Sequence, residues 1–354
     1  MSLLPSNLLL PWLIVPYGEG YFRGRGTIHN KTAGFFSLSN RQLYKVKIQE
    51  LANHRICGSC RGGWLVTVNS GGEIQVLHPF SKSVIKLPPV TQLPGVVGSY
   101  CTMIRNLVYK VKKKQLIYTI SSKRMREIYI DKAVMSRTTG VVMVIHGFDR
   151  KLAFCRIGDK NKKWISVKGA IAGKFNDITL YNGDFYAVKD NGNVYVVSGL
   201  GVLLRPFVKL VIRETTNYSY YKKYLVEAKG ELFLIMRVRG YPMEAENLDA
   251  ELTVSFIIKK IDFNGPEWVH VDNFDEDCAV FVGCNDSFTR LTSDVPECKG
   301  NCIYFTDDCL GNNLEGFVDK PFGDVGVWDL TADVVERFYP SSDIKPPPVW
   351  FATN

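Results

Sequence analysis

Histidine is scarce in this sequence, at five of 354 residues, and none of the five stands in a hydrolase setting. His29, His54, His78, His146 and His270 lie in neither a nucleophile elbow nor a zinc-protease helix motif, so hydrolytic chemistry has no sequence support. Long apolar runs are missing too. The run Leu8–Val15 is broken by Pro11, is too short to span a bilayer and has no basic residue before it. No membrane association is expected. The nine cysteines follow no regular framework, and a chain of this size needs no disulfide staples, so a reducing compartment, cytoplasm or nucleus, is expected. Acidic residues are rare in the first half. Residues 1–177 hold 8 Asp and Glu against 28 Lys and Arg, whereas residues 178–354 hold 27 against 16. Folded side by side, such halves give a dipolar surface.

Cofactor motifs are equally thin, and no cofactor or metal is expected. Cys57-Gly58-Ser59-Cys60 has the spacing of half a zinc site, but neither Cys278 with Cys284 nor Cys298 with Cys302 repeats it. Small buried apolar side chains are the simpler reading of these cysteines. The glycine-rich stretch 18–26, GEGYFRGRG, has no strand before it and no helix after it to frame a phosphate loop. Asp275–Asp277 and Asp307-Asp308 lack the calcium-loop pattern and read as solvated turns.

What is abundant is strand. Short runs of Val, Ile, Tyr and Phe recur between Gly, Asn and Asp turns. Asp177–Ser198 is the clearest, with strands at Ile178–Tyr181, Phe185–Val188 and Val194–Val197 and a turn at Asn182-Gly183, where glycine tolerates the positive φ of a tight hairpin. The same meander returns at 34–48, 63–87, 141–167 and 224–237, and in looser form to the end. No single meander buries both faces, but radial stacking does. An all-β β-propeller of about six to seven blades is therefore expected, with paired β-sandwiches as the alternative. The boundaries drawn are 1–30 for an entry segment, 31–345 for the propeller and 346–354 for a Pro-rich tail.

Two stretches break the rhythm. Gly240–Glu251 is acidic. Tyr109–Arg126 is basic and reads as an irregular insertion. Within it Lys112, Lys113, Lys114, Arg124 and Arg126 could form a cationic patch for an acidic or phosphorylated partner, or an import signal, against the plainer reading of a solvated loop.

The meanders also resemble, in order and over nearly the whole chain, the plant KIB-type F-box-associated β-propeller family. Phe35–Val46 (FFSLSNRQLYKV), Cys60–Phe80 (CRGGWLVTVNSGGEIQVLHPF), Lys174–Val197 and Val325–Pro340 (VGVWDLTADVVERFYP) carry the resemblance. It implies a non-enzymatic protein-interaction disc resembling the substrate-binding part of ubiquitin-ligase adaptors. Some relatives grip a protein kinase. Family members usually begin with an F-box that docks a Skp1-type subunit. No such segment precedes Leu8, so direct Skp1-type binding is not expected. Nucleic acid is not an expected partner. An enzymatic or small-molecule-binding propeller, which would show a polar cluster in its central channel, and a degenerate copy without a dedicated partner are the alternatives.

Overall fold

A computed structural model describes residues 11–16, 32–160, 163–167, 173–200, 206–216, 218–241, 251–308, 323–338 and 347–353. They form seven sheets built almost wholly of antiparallel neighbours. Sheet one holds Trp12–Pro16, Thr32–Ser37 and Leu43–Lys47, and sheet two holds His54–Cys60, Trp64–Asn69, Ile74–His78 and Ser83–Leu87. Sheet three is a three-stranded piece, Val96–Cys101, Leu107–Lys113 and Leu116–Ser121. Sheet four holds Ile130–Ser136, Val141–His146, Lys151–Arg156 and Ile165–Ser166, and sheet five Phe175–Tyr181, Asp184–Lys189, Val194–Ser198 and Phe207–Ile212. Sheet six runs from Lys222–Ala228 through Glu231–Gly240 and Leu252–Asp262 to Glu267–Val271. Sheet seven holds five strands from Cys278–Val282 to Val334–Arg337.

The chain is thus a β-propeller with a sheet count inside the expected range, and its closure involves both ends. Val349–Phe351 joins sheet one as its innermost strand, pairing Trp12 with Phe351, Leu13 with Trp350 and Ile14 with Val349. Segments 1–30 and 346–354, drawn outside the propeller from sequence, therefore each lend it a strand. The proline run hid the last one, since prolines cannot donate to a ladder; the strand starts where they stop. Trp12, Trp350 and Phe351 are fully buried in the joint.

Radial stacking explains burial that alternation does not. All six residues of Val141–His146 and all seven of Ile130–Ser136 are buried, because neighbouring sheets cover both faces. The inner strands meet closely. A Cβ on Gly58 would lie 2.1 Å from the carbonyl oxygen of Ala133, so only glycine lets sheet two approach sheet four there. The Arg55 guanidinium, also on sheet two, donates to the carbonyls of Glu127 and Ile130 at the entrance to sheet four.

That contact skips sheet three. Six sheets bring a strand to the axis, and Val96–Ser121 sits outside them between the second and fourth. The basic stretch expected to be irregular is largely regular: two of these strands and a helix, Ser122–Ile128, capped by the Ser121 hydroxyl accepting from the Arg124 amide at 3.2 Å. Tyr109, Val111 and Ile120 alternate with exposed residues and turn inward. The lysines between them masked this period-two pattern. The acidic stretch at 240–251 lies mostly outside the described residues.

Candidate functional site

Two regions concentrate chemistry, the axis and the outlying sheet. At the axis, sheet seven departs from meander order. Cys278–Val282 runs parallel to Cys302–Phe305, with Phe288–Leu291 on its other side. The turn between Val282 and Phe288 crosses toward the middle. The Asp286 amide donates to the Ser59 carbonyl at 3.0 Å on sheet two, and the Thr179 hydroxyl of sheet five bonds Oδ1 of Asp286 at 3.1 Å. Asn285, Asp286 and Ser287 are all buried. Beside them Lys132 of sheet four is ion-paired with Asp177 of sheet five, whose other oxygen accepts the Leu225 amide of sheet six at 2.8 Å. Burial pushes the Asp286 carboxyl up to about 6, against the pull of Lys132 and Arg61. Burial likewise raises Asp177, opposed by Lys132.

A convergent polar cluster at the axis, the expected mark of an enzymatic or small-molecule propeller, is therefore present. Part of it joins sheets, while Asn285 Oδ1, Asp286 Oδ2 and Ser287 Oγ have no hydrogen-bond partner among the described residues. The Asp308 side chain, read from sequence as a solvated turn, is instead 3% exposed and takes the Tyr224 hydroxyl at 2.6 Å, with Arg239 at 3.2 Å and Arg237 at 3.4 Å. Despite the burial that would raise it, Lys222 and the two arginines hold its carboxyl well below the carboxylate range. Asp275 and Asp277 do sit at the surface, both on Lys229. Cys57 and Cys60 are buried within one strand, and burial raises both thiols. Among the described residues no cluster of three or more His, Cys, Asp or Glu is placed to hold a metal.

The outlying sheet is the opposite case. Among the described residues, six of the fifteen exposed large apolar side chains, Val97, Tyr100, Met103, Ile104, Leu116 and Ile117, fall on it or its hairpin loops, so the patch is concentrated rather than scattered. Met103 and Ile104 are 105% and 78% exposed at the tip of one hairpin. Cross-strand register puts Lys112 opposite Ile117 and Lys110 opposite Thr119, with the Lys110 ammonium over the Tyr100 ring at 5.3 Å. Of the five cations singled out in the sequence, Lys112 and Lys114 are exposed on this sheet's hairpin and Lys113 is half-buried. Arg124 and Arg126 lie on the following helix. Arg126 is only 8% exposed and holds Glu127 at 3.2 Å, because two residues along a helix point to different sides. The structure thus groups Lys112 with Lys114 and adds Lys110, but not Arg126. The apolar tip at Met103-Ile104 went unremarked in the sequence; two consecutive large apolar residues between turn-forming positions were its signal.

The KIB1-4 beta-propeller profile matches residues 35–329, and the chain belongs to that family. Among its relatives in Arabidopsis thaliana, F-box protein SKIP23 is 25% identical over 93% of this chain and 83% of its own length. F-box protein At2g26160 is 26% identical over 76% of the chain and 81% of its own length. Of solved structures, the Cps50 (Swd1) propeller domain of Myceliophteria thermophila overlaps 69% of the chain and 84% of its own, at 9% identity and a TM-score of 0.33. The chain is accordingly a β-propeller related to plant F-box proteins, in keeping with a protein-interaction role. No helix among the described residues is long and apolar enough to cross a membrane.

Proposed function

We propose that this propeller is a non-enzymatic docking module that captures a protein partner on the outer face of Val96–Ser121. The observation that carries the reading is the concentration of exposed apolar side chains there, interleaved with Lys110 and Lys112. An apolar strip flanked by cations fits an acidic segment with apolar anchors; the anchors supply affinity and the lysines orientation and encounter rate. A protein kinase, the partner class the family resemblance suggests, is the first bait. The Lys132–Asp177 ion pair at the axis joins sheets four and five.

Proximity labelling in plant cells compares the wild-type chain with a Met103→Asp, Ile104→Asp, Ile117→Asp variant and with Lys110→Glu, Lys112→Glu, Lys114→Glu. Loss of the same set of labelled proteins in both variants, with the fold intact by circular dichroism, is expected. An unchanged set in both sinks the proposal.

A further inference from the structure

The lysines beside that face also border a cavity of about 310 Å³ between the outlying sheet and the Val141–His146, Lys151–Arg156 hairpin of sheet four. That volume is at the lower end for small-ligand sites. Lys112 and Lys114 line it from one side and Lys151 from the other, with Asp149 the one carboxylate among its lining residues. The wall is held from both elements. The Lys112 amide donates to the Gly95 carbonyl at 2.7 Å, and the Gly147 amide to the Tyr129 carbonyl at 2.8 Å. His146 faces Lys151 directly across the hairpin and also lines the cavity. Only 3% of His146 is exposed, and neither ring nitrogen has a hydrogen-bond partner among the described residues. A buried imidazole left in that state is uncommon, because an unmade bond there costs what water would have supplied.

We propose that this cavity binds a phosphate group, with Lys112, Lys114 and Lys151 pairing its charge. Three ammonium groups against one carboxylate leave a surplus of two positive charges, matching a phosphate dianion. Burial, reinforced by Lys151, brings the His146 ring down to about 4, so near neutrality it adds no charge to the cavity wall. Two sources carry the same chemistry: a phosphorylated side chain of a protein, or a free phosphate. The inference shares Lys112 and Lys114 with the docking proposal, and Ile117→Asp, which leaves the cavity lining untouched, separates the two.

Titration calorimetry of the full chain at fixed ionic strength tests it with inorganic phosphate, a phosphoserine peptide and its unphosphorylated form, with chloride as blank. Lys114→Gln and Lys151→Gln, both at exposed positions, are each expected to weaken phosphate binding by about tenfold, while Lys123→Gln on the nearby helix leaves it unchanged. A peptide that binds more tightly than phosphate assigns the source to a protein; the reverse assigns it to a free ion. The proposal falls if phosphate gives no heat above chloride, or if Lys112→Gln, Lys114→Gln, Lys151→Gln together bind it as the wild type does.

Discussion

The axis and the outlying sheet are made from the same period-two strands, yet they dispose of charge in opposite ways. Around the axis Lys132, Asp177 and Asp286 are all under 5% exposed and are matched sheet to sheet. On the outlying sheet Lys110, Lys112 and Lys114 are exposed and, among the described residues, none of them forms an ion pair. Charge at the axis fixes which sheets adjoin, whereas charge on the outer sheet is left for something else to meet. What separates the cases is coverage: an inner strand has a sheet on either side, and an outer face has water.

The comparison breaks hardest at Lys132. Lys132→Met strands the Asp177 carboxylate without its ammonium and is expected to cost about 3–5 kcal/mol in urea unfolding, with Asp177→Asn in the same chain restoring more than half. No recovery would mean that the pair does not act as a unit. Next comes a contrast within the outlying sheet. Tyr109→Ala removes a fully buried ring and is expected to cost about 3 kcal/mol, while Ile117→Asp on the other face changes stability by less than about 0.5 kcal/mol. Equal costs would show that the sheet is covered on both sides.

The smallest effect is in pH. Asp286 has a folded value near 6 against an ordinary 3.8, so the folded state keeps its proton longer, and its contribution to stability is lost as pH rises through about 4 to 6. His146, near 4 against 6.5, works the other way, its contribution being lost as pH falls through the same region. Asp286→Asn removes only the first. The melting temperature of that variant relative to wild type should therefore climb between pH 4.5 and 7. A difference that stays flat would place Asp286 in a more polar setting than its burial indicates.

Legibility in the sequence followed locality. The Asp177–Ser198 meander folds as three strands around the Asn182-Gly183 turn, with φ of 49° and 83° at the two turn residues, because turn chemistry and alternation act within a few residues. Tyr109, Val111 and Ile120 obey the same alternation, but a run of lysines made charge louder than period. The axial cluster was not readable at all. Asp286 meets Thr179 across 107 residues, and nothing near either position signals the other. Of the cationic patch, Lys112 and Lys114 were visible as exposed charges; that Arg126 turns inward depends on a seven-residue helix whose apolar stripe, Met125 and Ile128, is too short to announce it.

The joint between Trp12–Pro16 and Val349–Phe351 orders events on the ribosome. The first of these strands leaves the exit tunnel with one edge unpaired and waits for almost the entire sequence to be made before its partner exists. Until Trp350 arrives the nascent chain is an open arc whose Trp12 edge can take a strand from a neighbour.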